Sequence, residues 1–209
     1  MLKKLAIGRK MMMRQWNVGI LLFNEVELLD FAGPFEVFSI ASYPDSIQKP
    51  FTVKTVAQTI DLISARNGLK VQPDFDFYNS PHFDILIVPG GHGAEEIEIH
   101  NETLINWIKS RAQNCQIIAS VCTGAFLLAE AGLLDGKRAT THWMDINRFE
   151  RDYRKIKVQR GVKFVDENEI ITSGGISAGI NMSFYLLNRF VGKEIAITTA
   201  KRMEYDINI

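Results

Sequence analysis

The sequence predicts an α/β fold, a doubly wound and mostly parallel sheet with helices on both of its faces. Three observations carry that prediction. The runs "NVGILLF", "FDILIVPGG" and "QIIASV" are almost continuously apolar, as strands covered on both faces are. Segments with helical apolar spacing alternate with them, the pattern of strand–helix–strand units. Several strand ends stop at a glycine pair or at an abrupt change of period, and such sheets place their chemistry at the carboxyl ends of the strands. The chain has 209 residues, 46% of them hydrophobic, enough for one sizeable core. No Pro/Gly/Ser-rich stretch divides it. The expectation is a single domain over residues 16–209, preceded by a disordered or extended segment, 1–15.

The first strand covers residues 17–23. "FAGPFEVFSIAS" (31–42) has helical spacing and puts Pro34 in its first turn, where a missing N–H is no loss. "FTVKTVA" (51–57) alternates as a second strand. "LISARNGLKVQPD" reads as a small hairpin around Asn67-Gly68. Residues 83–91 are a third buried strand ending in Pro-Gly-Gly. Over 103–113, Leu104, Ile105, Trp107 and Ile108 mark one face of a helix. "QIIASV" is the next strand, and a helix follows Cys122. Asp135-Gly136 is a turn, "KRATTHW" a short strand and "MDINRFERDY" a polar, exposed helix. "DENEIITSGG" reads as a turn, a strand and a second glycine corner. "AGINMSFYLLNRF" and "KEIAITTAKRMEY" are closing helices.

Composition narrows the function. Lys+Arg and Asp+Glu both number 24, so the chain has no electrostatic footprint for nucleic acid. No apolar run is long enough to span a bilayer, so no membrane partner is expected. The basic start, "MLKKLAIGRKMMMR", lacks the apolar centre and cleavage site of a leader and reads as an extension. Met11, Met12 and Met13 are alternative starts within it. Two cysteines, Cys115 and Cys122, are too few for a disulfide scaffold, which points to a reducing, cytoplasmic compartment. His82, His92, His100 and His142 show no metal-ligand spacing. There is no phosphate loop and no dinucleotide fingerprint. Neither a metal nor a cofactor is expected.

The chemistry centres on "SVCTG". A strand stops at Cys122 and a helix starts almost at once, flanked by small residues, as at a nucleophile elbow. The start of that helix favours a thiolate and a lowered pKa. Cys115 has no such setting and reads as structural. Asp30, in "LLDFAGP", has two readings. One is the N-cap of the following helix. The other is the acid/base nearest to the cysteine, protonated because two adjacent anions repel. Gly90-Gly91 is either a tight turn or a source of open backbone N–H groups for an oxyanion. The Thr123 N–H is the natural second donor, and its hydroxyl either binds substrate or caps the helix. His92 follows the glycine turn at the pocket. His142, in "TTHW", is a possible accessory to Cys122. His82 and His100 read as surface residues.

Together, "VGILLFNEVELLDFAGPFEVFSIAS", "FDILIVPGGHG", "SVCTGAFLLAEAGLLDGKRATTHW", "ITSGGISAGI" and the terminal "EYD" resemble the ThiJ/PfpI superfamily, within the class I glutamine amidotransferase-like fold. The resemblance covers residues 17–206 and is similar to the isonitrile hydratase branch and to the sensor domains of AraC-type regulators. It implies a flavodoxin-like three-layer sandwich and a homodimer; Phe31, Phe35 and Phe38 near the first helix are either apolar surface for that dimer or part of the core. It implies a nucleophile at Cys122, an acidic partner at Asp30 and a polar neighbour at Thr123. Gly90, Gly91, His92, Gly175 and Ile176 are its oxyanion and substrate-binding candidates. Protease-like relatives carry a histidine where Thr123 stands, which argues against a Cys-His peptidase. The regulators carry a further helix-turn-helix domain, for which these 209 residues have no room. The activity implied is addition of water to a small isonitrile, giving an N-substituted formamide. The alternatives are glyoxalase- or amidase-like cysteine chemistry, or a non-catalytic redox-sensing or ligand-binding protein.

Overall fold

The computed structural model describes residues 14–44 and 46–207. Of the expected N-terminal segment, all but Arg14 and Gln15 lies outside the described residues.

In chain order the strands are β1 (Trp16–Leu21), β2 (Phe51–Ala57), β3 (Ile63–Ser64), β4 (Lys70–Val71), β5 (Phe75–Asp76), β6 (Ile85–Val88), β7 (Ile117–Val121), β8 (Arg138–Ala139), β9 (Lys157–Val158), β10 (Phe164–Glu167) and β11 (Ile170–Ser173). The helices are α1 (Leu28–Ile40), α2 (Glu102–Ala112), α3 (Gly124–Glu130), α4 (Ile146–Asp152), α5 (Ser177–Val191) and α6 (Lys193–Arg202). Seven strands form one sheet in the order β10-β11-β7-β6-β1-β2-β5. Every neighbouring pair is parallel except β10 with β11. Val18 faces Ile85 across β1–β6, and Ile87 faces Ala119 across β6–β7.

The sequence explains why the sheet is covered on both sides. Side chains alternate faces along a strand, yet all four residues of β6 and all five of β7 are buried. Both faces must therefore be packed. α1, α5 and α6 pack on one another as one helical group, while α2 packs on α3. Phe38, Phe83, Phe126, Phe149 and Phe184 are fully buried in the core, each worth about 1.5–3 kcal/mol relative to exposure.

Several elements differ from expectation. α1 starts three residues early, so Pro34 lies inside the helix and not in its first turn. Its ring nitrogen has no hydrogen for the Asp30 carbonyl, a local cost outweighed by burial of Phe31, Val37 and Phe38 on the same helix. Phe31 and Phe38 are thus core residues, and only Phe35 of the three is exposed. The strand expected from "KRATTHW" ends at Ala139, because the next residues bond elsewhere: Thr140 N–H donates to Thr172 Oγ1 at 2.9 Å. α4 is not wholly exposed. Ile146 and Phe149 are buried, with the Phe149 ring 5.0 Å from Phe126. β5 and β9 are two residues each, too short to leave a period. β10, "FVDE", is a charged edge strand. The hairpin at Asn67-Gly68 forms as expected, with both residues at positive φ (67° and 94°) and β3 antiparallel to β4.

Candidate active site

The change of period at residue 122 is a sharp backbone corner. β7 ends at Val121 and α3 starts at Gly124. Between them Cys122 sits at φ 57°, in the left-handed region that costs a non-glycine residue about 1–2 kcal/mol. Neighbouring chain segments hold it there. Its N–H lies 3.2 Å from the carbonyls of both Ser173 and Gly174. Its own carbonyl accepts from the Thr141 hydroxyl at 2.9 Å. The Pro-Gly-Gly turn after β6 presses against the corner: a Cβ at residue 90 would lie 2.5 Å from the Thr123 nitrogen. Only glycine allows that approach. Cys122 is left 7% exposed.

Asp30, the third residue of α1, is fully buried. It caps nothing, since the N-cap position is Glu27. Its Oδ2 instead accepts from the Gly90 N–H at 3.1 Å and its Oδ1 from the Ile176 N–H at 3.0 Å. The carboxyl also lies close enough to the Cys122 thiol for each group to act on the other's ionisation. Burial pushes Asp30 up to about 7, against the pull of the two amides, and the nearby Glu27 charge adds to the rise.

The thiol corrects the expectation of a lowered pKa. Burial pushes Cys122 upward, and the Asp30 charge pushes it further. The Thr123 amide favours the thiolate, but the Asp145 charge opposes it. The helix that was to supply a stabilising field has only seven residues. The site therefore holds a protonated thiol against a carboxyl that changes state near neutral pH. One proton can pass between sulfur and oxygen without creating a second buried charge.

The glycine turn is also a correction. The amides expected to be open are already engaged: Gly90 N–H on Asp30, and Gly91 N–H on Thr123 Oγ1 at 2.9 Å. The Thr123 hydroxyl returns a hydrogen bond to the Gly91 carbonyl at 3.2 Å. It fastens the turn to the elbow and does not cap α3. Ile176, at the second glycine corner, sits at φ 53° with its side chain exposed. At Gly175 a Cβ would lie 2.1 Å from His142 Cδ2, so the imidazole occupies the space a side chain would need. His92 is exposed at the start of a turn over Gly93–Ile97 and makes no capping bond there. His82 and His100 are exposed.

Direct hydrogen bonds thus tie Asp30 to Gly90 and Ile176, and Thr123 to Gly91; Cys122 stands beside Asp30, and His142 adjoins the set at Gly175. His92 takes no part in these bonds. Sequence reasoning missed two residues. Thr141 anchors the elbow carbonyl, and nothing in "TTHW" marks it. Asp145 lies 3.3 Å from His142 Nδ1, and its signal is a carboxylate three residues beyond a histidine. Among the described residues no three His, Cys, Asp or Glu are grouped to hold a metal ion, and no helix is long and apolar enough to cross a membrane.

Known proteins share this architecture. The model of the DJ-1/PfpI family matches residues 17–189. An isonitrile hydratase of Pseudomonas putida is 34% identical over 194 residues, covering 90% of this chain and 78% of that protein. The HTH-type transcriptional regulator GbdR of Pseudomonas aeruginosa is 25% identical over 190 residues, covering 91% of this chain and 51% of the regulator. The chain thus spans about half of that regulator's length. A ThiJ/PfpI family protein from Pseudomonas syringae superposes with a TM-score of 0.82 at 22% identity, covering 100% of this chain and 83% of the other. That likeness supports the flavodoxin-like fold.

Proposed function

We propose that this chain, which belongs to the DJ-1/PfpI family, is a cysteine-dependent lyase that adds water to an isonitrile and releases an N-substituted formamide. The observation that carries the reading is the buried Asp30 carboxyl set beside the Cys122 thiol, each acting on the other's ionisation. The 34% identity to an isonitrile hydratase supports it.

An isonitrile carbon must gain a sulfur and a proton in the first step, and the pair offers both. Cys122 Sγ bonds to the terminal carbon while the thiol proton passes through Asp30 to that same carbon. The product is a thioimidate, S–CH=N–R. Water then adds across the C=N bond. Its proton reaches nitrogen by way of a carboxylate acting as base and then as acid. The carbon–sulfur bond breaks, the sulfur regains its proton, and the formamide leaves. Every atom comes from substrate and water, so the scheme calls on no metal or organic cofactor. A thiol only 7% exposed suits a slender terminal carbon better than a branched carbonyl. A protonated thiol also suits an electrophile that takes up the proton. Chemistry that needs a free thiolate, as in a peroxide sensor, is less well served. In this reading the protein is a cytoplasmic homodimer acting on a small molecule.

The test is to incubate purified protein with cyclohexyl and small alkyl isonitriles at neutral pH and measure the formamides by mass spectrometry. Turnover by the parent and none by Cys122→Ala is expected. No formamide from any isonitrile would overturn the reading, and consumption of methylglyoxal instead would point to the glyoxalase-like alternative.

A further inference from the structure

A second set of ionisable groups stands beside the elbow, and the scheme above does not use it. His142 Nδ1 and Asp145 Oδ2 are 3.3 Å apart, with both side chains about four-fifths buried. The Cδ2–Nε2 edge of the imidazole faces the glycine corner: a Cβ at residue 175 would lie 2.1 Å from Cδ2 and 3.1 Å from Nε2. The next residue, Ile176, donates its N–H to Asp30. Thr141, one residue before the histidine, is bonded to the Cys122 carbonyl. The histidine is therefore fixed to the same backbone that holds the nucleophile and its acid.

Glu95 stands near Asp145, with its Oε2 buried and without a hydrogen-bond partner among the described residues. Burial raises the Glu95 pKa, and the Asp145 charge raises it further. Arg148 supports the arrangement through the Glu95 carbonyl at 2.9 Å and the Glu96 carboxylate at 2.5 Å. Asp145 Oδ2 faces His142 Nδ1.

We propose that Asp145 is a positioning residue of the Cys122 site: by accepting the Nδ1–H of His142 it fixes the tautomer in which Nε2 is a free base at the Asp30–Ile176 side. A neutral imidazole has one donor and one acceptor nitrogen, and the partner of one decides the role of the other. This rests on the hydratase reading for its purpose. In the scheme above one carboxylate both takes the water proton and delivers it to nitrogen, and a second base relieves it of the first task. His142 Nε2 supplies that second base.

The experiment combines nitrogen-15 NMR of the His142 imidazole at pH 8.5 with isonitrile kinetics. The parent should show the Nδ1–H tautomer, and Asp145→Asn should shift it toward Nε2–H. In Asp145→Asn and in His142→Gln, kcat should fall on the order of a hundredfold with KM nearly unchanged. The double variant should be no worse than either single one, since the two act as a unit. Substrate mass should accumulate on Cys122 in both variants, because the water step is the one slowed. An Nε2–H tautomer in the parent, or parent-like kcat in Asp145→Asn, overturns the proposal. If the parent turns over no isonitrile, the functional reading fails separately. The spectra then decide: an Nδ1–H tautomer lost in Asp145→Asn upholds the positioning, and an unchanged one refutes it. If Asp145→Asn does not fold, the parent spectrum alone decides.

Discussion

Replacing Asp30 by Asn separates the carboxyl's two tasks, because they respond differently to pH. Asp30 accepts two backbone N–H groups, one on each oxygen. Asn has only one acceptor, so its NH2 faces the amide of Gly90 or of Ile176. A buried donor left unsatisfied costs about 1–3 kcal/mol, and that loss does not change with pH. The ionisation term does. Folding raises the carboxyl from 3.8 to about 7. The parent therefore has its full stability below pH 3.8. It loses stability as the pH rises toward 7, because the unfolded chain ionises first, and it changes no further above that. Holding the proton over that interval is worth about 4 kcal/mol, and Asn has nothing to lose. Urea unfolding of both proteins between pH 4 and pH 8 should thus show a crossover. The variant is less stable by about 1–3 kcal/mol at pH 4 and the more stable of the two at pH 8. Its rate on an isonitrile should fall on the order of a hundredfold at every pH. Parallel stability curves would mean that Asp30 is ionised throughout and is not the proton carrier argued here.

Two further outcomes test the corner and the assembly. Because Cys122 sits at φ 57°, Cys122→Gly should be more stable than Cys122→Ala by on the order of 1 kcal/mol; equal or reversed midpoints in urea would show that the corner is unstrained, and both variants should be inactive. Leu28, Leu29 and Phe35 of α1 are exposed and are expected to be covered in a homodimer, so sedimentation at micromolar concentration should give twice the chain mass; monomer alone would refute it.

The architecture was readable because its signals are local. Buried parallel strands leave unbroken apolar runs, and "QIIASV" ending one residue before Cys122 is enough to place the elbow. The errors arise where the deciding contact is remote. The start of α1 could not be placed from Pro34, since proline suits a first turn and the first buried residue of the helix, Asp30, is held by the remote amides of Gly90 and Ile176. "KRATTHW" looks like one strand, but Thr140 and Thr141 leave the ladder for Thr172 and Cys122. The state of the thiol was the most consequential error. Its neighbours in sequence are small residues and a helix start, which argue for a thiolate. In space it is buried, and that burial decides the sign; a carboxyl 92 positions upstream and the carboxylate of Asp145 add to the rise.

Asp30 shows why such a site needs the whole fold. Its partners are Gly90, 60 residues away, and Ile176, 146 residues away. One lies in the turn after β6 and the other at the start of α5, so two separate backbone segments fix the orientation of one carboxyl. Two non-glycine residues with positive φ stand around it, Cys122 at 57° and Ile176 at 53°. Each costs about 1–2 kcal/mol. The chain could relieve that strain only by moving the sulfur off the carboxyl or the amide off Oδ1. The strain and the hydrogen bonds are therefore one arrangement. The packed helices α1 and α5 hold the acid and its amide, the end of β7 holds the thiol, and the proton between them has a path set before any substrate arrives. A reaction that requires sulfur and proton to reach one small carbon together gains most from such a fixed path, and the hydration proposed above is a reaction of that kind.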